Sequence, residues 1–128
     1  MQEISTRVSV GILAGVALVV ALAIPGYAHH GWGGNSDEES EVTGTVAELV
    51  SLAGPHATMK VRVDGQVWDI TLGPSARTSR AGLKEGIIPM GATVTLVGHK
   101  NKAANRFEMK TEKVTWNNQV FDVYPDRH

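Results

Sequence analysis

The stretch "HATMKVRVDGQVWDITL", residues 56–72, limits the fold more than any other part of this 128-residue chain. Ala57, Met59, Val61 and Val63 alternate with Thr58, Lys60 and Arg62, the period of a strand with one wet face. Asp64-Gly65 follows at once, the dipeptide that best tolerates the positive φ of a two-residue hairpin turn. The return strand then directs Trp68, Ile70 and Leu72 to the same core. An isolated hairpin is marginal in water, so the rest of the chain must supply more strands.

It does so at short intervals. "EVTGTVAELV" (41–50) precedes the hairpin, and "GATVTLVGHKN" (91–101), "NRFEMKTEKVTW" (105–116) and "QVFDVY" (119–124) follow it, with Asn117-Asn118 marking another tight turn. One short helix is expected within "GPSARTSRAGLKEG" (73–86), opened by Pro74-Ser75 and closed near Gly82 or Gly86. The fold class predicted is mainly β: a small OB-like Greek-key barrel of five or six strands over residues 41–124, with one helix between the third and fourth strands. A roll or small sandwich would give a similar pattern.

The N-terminus reads differently. Val8–Ile24 is an uninterrupted run of apolar and small residues after Arg7, and "PGYA" follows with Gly26 and Ala28 at the small-residue positions of a cleavage site. Residues 1–28 are therefore read as a signal peptide, which makes the protein periplasmic or secreted and leaves no membrane contact after cleavage. The rival is an uncleaved membrane anchor, since the run is close to the shortest that spans a bilayer. Residues 29–40 read as a flexible segment, glycine-rich and then acidic through Asp37-Glu38-Glu39, and residues 125–128 as a C-terminal tail.

Composition excludes several classes of function. Of the 12 basic and 13 acidic residues all but Arg7 and Glu3 follow the leader, so the mature part is nearly neutral and does not suit nucleic acid. With no cysteine there is no disulfide, thiolate nucleophile or Cys-ligated metal site. Ser75 and Ser79 lack a nucleophile elbow, and Asp37-Glu38-Glu39 reads as a solvated linker and not as an acid/base pair, so no enzyme is expected.

What remains is histidine. His29-His30 would form the mature N-terminus after cleavage at Ala28, where the free amine and the imidazole of His29 can chelate one ion. His56, on the solvated phase of its strand, is the expected third ligand. A nitrogen-rich, thiol-free set of His29, His30 and His56 suits copper, Cu(II) in particular. His99 shares the polar phase with Thr93 and Thr95 and reads as a solvated hairpin end. Met59 and Met109 read as core residues and not as thioether ligands.

"AHHGWGG", "VTGTVAELVSLAGPHATMKV", "VWDITLGPSARTSRAGL" and "GATVTLVGHKNKAANRFEMKTEKVT" together resemble the bacterial domain-of-unknown-function family 6152 over about residues 29–116. His29-His30 and Pro55-His56 carry the most specific parts of the resemblance. Gly31-Trp32 stands where the family often has Ser-Phe, and Gly54 where it often has Asn. The resemblance implies a small exported β-barrel and assigns no activity. The expected function is binding of a divalent transition metal, the metal ion being the partner. The alternative is a metal-free interaction or adaptor module docking an envelope protein partner. Oligomeric state is left open.

Overall fold

The computed structural model describes residues 32–127, and the expected signal peptide together with His29, His30 and His128 lies outside the described residues. The chain divides into two compact units at Gly33/Gly34, and the fold is that of the second. Six strands form in order: β1 (Ser40–Ser51), β2 (His56–Val63), β3 (Gln66–Pro74), β4 (Thr93–Lys100), β5 (Glu108–Trp116) and β6 (Gln119–Asp122). One helix, α1 (Ser75–Arg80), sits between β3 and β4.

β1 pairs with β2, β2 with β3 and β1 with β4, all antiparallel, as does β4 with β5. Parallel pairing of Asp69, Ile70 and Thr71 with Glu108, Met109 and Lys110 closes the ring between β3 and β5. The result is a closed five-stranded barrel of OB-like topology, with β6 outside it on β5. Closure leaves the five strands few free edges, which suits a domain without disulfides.

β1 pairs with a neighbour on each side. Ser40–Thr45 pair with β4, and Thr45–Ser51 pair with β2 through two register shifts. At the crossing sits Gly44, where an added Cβ would collide with the carbonyl of Arg62 and come 2.8 Å from Cγ1 of Val61. Only a residue without a side chain lets the strands approach that closely.

The alternation in β2 holds residue by residue: Ala57, Met59 and Val61 are buried, while His56, Thr58, Lys60 and Arg62 are exposed. Asp64 and Gly65 both take positive φ, as do Asn117 and Asn118, the geometry of primed hairpin turns. Met59 and Met109 pack in the core with Ile70, Leu72, Leu96 and Phe121. Trp68 differs from expectation. It is only partly buried, stands edge-on to Phe107 at 5.5 Å, and carries the Lys100 ammonium 5.5 Å from its ring. It still packs against the core cluster.

The helix is short, six residues after Pro74, and closes at the first of the two expected glycines. Thr78 donates from its hydroxyl to the Gly73 carbonyl at 3.1 Å, and Gly82, at φ +93°, ends the helix in a left-handed turn.

Candidate metal centre

The site forms where β4 and β5 lose register. Val97 faces Lys113 and Gly98 faces Thr111, so Glu112 is an extra residue on β5, a β-bulge. Gly98 allows it: a Cβ there would strike the Lys110 carbonyl and lie 2.7 Å from Cα of Thr111. The next pair is His99 with Lys110. Val94 and Leu96 are buried in the core, so His99 points away from it by alternation.

On that outer face His99 is nonetheless buried, because the lead-in segment covers it. Ser36 N–H donates to the Lys100 carbonyl at 2.8 Å, Lys102 N–H donates to the Gly34 carbonyl at 3.1 Å, and the Asn35 amide donates to the His99 carbonyl at 2.8 Å. Residues 34–36, expected as flexible chain, thus extend the sheet beyond β1. His99, expected as a solvated hairpin end, is instead enclosed.

The far side is closed by the C-terminus. Val123 and Tyr124 N–H groups both donate to the Glu112 carbonyl, at 2.9 and 3.1 Å. Residues Pro125–Arg127, expected as a tail, form a 3₁₀ turn. From it Arg127 Nε approaches Glu112 Oε1 at 3.4 Å.

The chemistry rests on one short contact. His99 Nε2 lies 2.6 Å from Glu112 Oε1, and Glu112 is wholly buried. His99 Nδ1 lies 2.8 Å from the Ser36 carbonyl, which can only accept, so Nδ1 carries a proton. That hold on Nδ1 leaves Nε2 within hydrogen-bonding distance of Oε1. This fixes the tautomer and directs Nε2 at a carboxylate, the orientation that a metal-binding imidazole takes when its other nitrogen donates to a carbonyl.

Glu39, at the end of the lead-in, completes the group. One ligand atom from each of Glu39, His99 and Glu112 lies within 4.8 Å of the others. With metal–nitrogen and metal–oxygen bonds near 2.1 Å, ligands around a tetrahedral ion sit about 3.4 Å apart. The Glu39 side chain is exposed, and the 2.6 Å between His99 Nε2 and Glu112 Oε1 would have to widen for both to reach one ion. Lys110 stands beside the site, its pKa lowered by burial and then by the charge of Arg127.

Of the ligands predicted from sequence, His56 is exposed at the start of β2 opposite Pro74. It belongs to no group of three ligating side chains among the described residues. Sequence reasoning missed the ligand geometry of His99, took Glu39 for part of a solvated linker, and overlooked Glu112. A signal for the last exists: Met109 and Val114 are both core residues five apart, an odd spacing that one strand meets only by inserting an extra residue between them.

The fold and cluster define a small OB-like β-barrel with a histidine–carboxylate group at its rim. The chain belongs to the family of unknown function DUF6152, whose model matches residues 16–111. No curated protein matches it. Among solved structures it is similar to "Crystal structure of the ZRD-deleted mutant of TiaS in complex with agmatine", at 14% identity and a TM-score of 0.49. That match covers 67% of this chain and 26% of the other, so this chain spans about a quarter of that longer protein.

Proposed function

We propose that this protein binds a divalent transition-metal ion at Glu39, His99 and Glu112, and that it does so as an exported binding protein and not as an enzyme. The observation that carries the reading is the imidazole of His99, held by the Ser36 carbonyl with Nε2 turned to a buried carboxylate. One nitrogen and two oxygens suit Zn(II) and Cu(II), and the Irving–Williams order favours Cu(II). Three protein ligands leave open positions for water or for a donor on a receiving partner, which fits buffering or delivery.

His29 and His30, with His56, remain the proposal drawn from sequence for a separate nitrogen site, conditional on cleavage after Ala28. An intact mass of protein recovered from cells fixes the N-terminus, and Cu(II) and Zn(II) titrations of that material separate the two. Loss of His99 in His99→Gln should weaken binding by more than the 10- to 100-fold that removal of an outer partner costs. Full affinity in His99→Gln, with loss in a His29→Ala/His30→Ala variant, transfers the site to the N-terminus. Absence of binding in all of them, with recovery of one envelope protein at fixed stoichiometry, makes the adaptor module the better account.

A further inference from the structure

The barrel leaves the first half of β1 paired on one side only. Val46 N–H donates to the Ala92 carbonyl, on the β4 side of the strand. Main-chain groups alternate in direction along an antiparallel strand, and residues 40–45 hold an unbroken register with β4, so Val42 and Gly44 also turn theirs to β4. Thr45, Thr43 and Glu41 turn theirs to the opposite edge. Thr45 meets Arg62 of β2 there, and the pairing of β1 with β2 goes no further towards the start of β1. Past the close approach at Gly44, no strand among the described residues takes up the edge at Glu41 and Thr43.

That edge borders a groove of about 450 Å³. Val42, Val63, Trp68 and Phe107 give it an apolar surface, the first three packed against the core and Phe107 exposed. Its charged residues are Glu41, Asp64 and Lys100. Lys100 lies 5.5 Å from the Trp68 ring centre. Neither Glu41 nor Asp64 has an ion-pair partner among the described residues, and the same holds for Asp37 and Glu38 in the segment that leads into β1.

We propose that this groove binds an extended, basic peptide segment of another protein, which adds as a strand to the edge at Glu41 and Thr43 and seats an apolar side chain against Trp68 and Phe107. Main-chain hydrogen bonds hold the segment and alternate side chains select it, the division of labour in strand addition. Charge chooses the occupant. A basic segment meets two carboxylates without ion-pair partners and a single ammonium, whereas an acidic segment meets that balance reversed. A second copy of this chain would set one acidic edge against another, and like charges directly opposite are destabilising. The groove shares no residue with the Glu39, His99 and Glu112 cluster, so it stands or falls independently of the metal reading.

The probe is the amidated peptide Lys-Val-Lys-Phe-Lys-Val-Lys, titrated to millimolar concentration against isotope-labelled protein recovered from cells. The amide protons of Glu41 and Thr43 should become protected from exchange, and the Trp68 indole resonance should shift, both in step with saturation. Two further peptides carry methyl groups on alternate main-chain nitrogens, one in each phase. Only one phase faces β1, so one of the two should bind about tenfold more weakly, the scale of one or two lost hydrogen bonds. Thr43→Pro should fold, because its N–H faces an open edge where proline is tolerated, and should lose the peptide. Equal binding of a twin with glutamate in place of lysine rejects a basic occupant. No binding of the lysine peptide overturns the proposal, as does binding that neither methylation pattern nor Thr43→Pro weakens, which is charge attraction alone. If Thr43→Pro does not fold, the methylated peptides decide.

Discussion

In metal-free protein the contact between His99 and Glu112 should be worth far more than any exposed ion pair on the barrel. Its side chains are 11% and 0% exposed, and the atoms lie 2.6 Å apart. Removing one partner of a buried, hydrogen-bonded pair leaves a polar group that water cannot reach, at a typical cost of about 3–5 kcal/mol. Arg127 offsets part of that for Glu112, and solvent reaches the rim of the His99 ring. His99→Ala is therefore expected at the lower end, about 3 kcal/mol. Glu112→Ala should cost about the same, since it strands the Nε2 of a ring fixed by Ser36. The double variant strands neither, so the coupling in a four-protein cycle should be about 2 kcal/mol, within the range measured for contacting residues. Urea unfolding without metal gives all four stabilities. As an internal comparison, Lys60 and Asp69 lie 3.4 Å apart with side chains 47% and 63% exposed, and their coupling should stay below about 0.5 kcal/mol. A His99–Glu112 coupling no larger than that of Lys60–Asp69 would refute the claim that this cluster clasps the barrel.

Three further outcomes follow from the packing. Thr111 is wholly buried and its hydroxyl has no hydrogen-bond partner among the described residues, so Thr111→Val should raise stability by about 1 kcal/mol in the same unfolding assay. Gly44→Ala drives a methyl into the Arg62 carbonyl at the bend of β1 and should cost about 3 kcal/mol or prevent folding, seen as a lowered urea midpoint or insoluble expression. Lys110 is held below its ordinary 10.5 by burial and by Arg127, so between its folded value and 10.5 the unfolded chain binds more protons and stability rises with pH. Lys110→Met should abolish that alkaline rise and be the more stable protein at neutral pH, as urea midpoints across the range would record.

Most of the barrel is legible in the sequence because two of its hairpins carry their own register. Asp64-Gly65 and Asn117-Asn118 accept positive φ, and the alternation of β2 then assigns each side chain to a face. Trp68 lies on the core phase and packs against the core but is only partly buried, because alternation gives a direction and not a depth. The short helix is legible at both ends, opened after Pro74 and stopped at Gly82, the first of the two glycines expected to close it.

The candidate site is less legible for a different reason. The phase of His99 is correct from sequence, since it does point away from the core. Its burial comes from segments distant in the chain: residues 34–36 are held beside it by two backbone hydrogen bonds and the Asn35 amide, for which "GWGGNSDEES" has no periodic signature, and the C-terminal turn closes the other side. A polar cluster outside the barrel therefore ties the lead-in segment and the C-terminal turn to the same two strands, and a reading of β4 and β5 alone gives the phase of His99 but not the groups that enclose it.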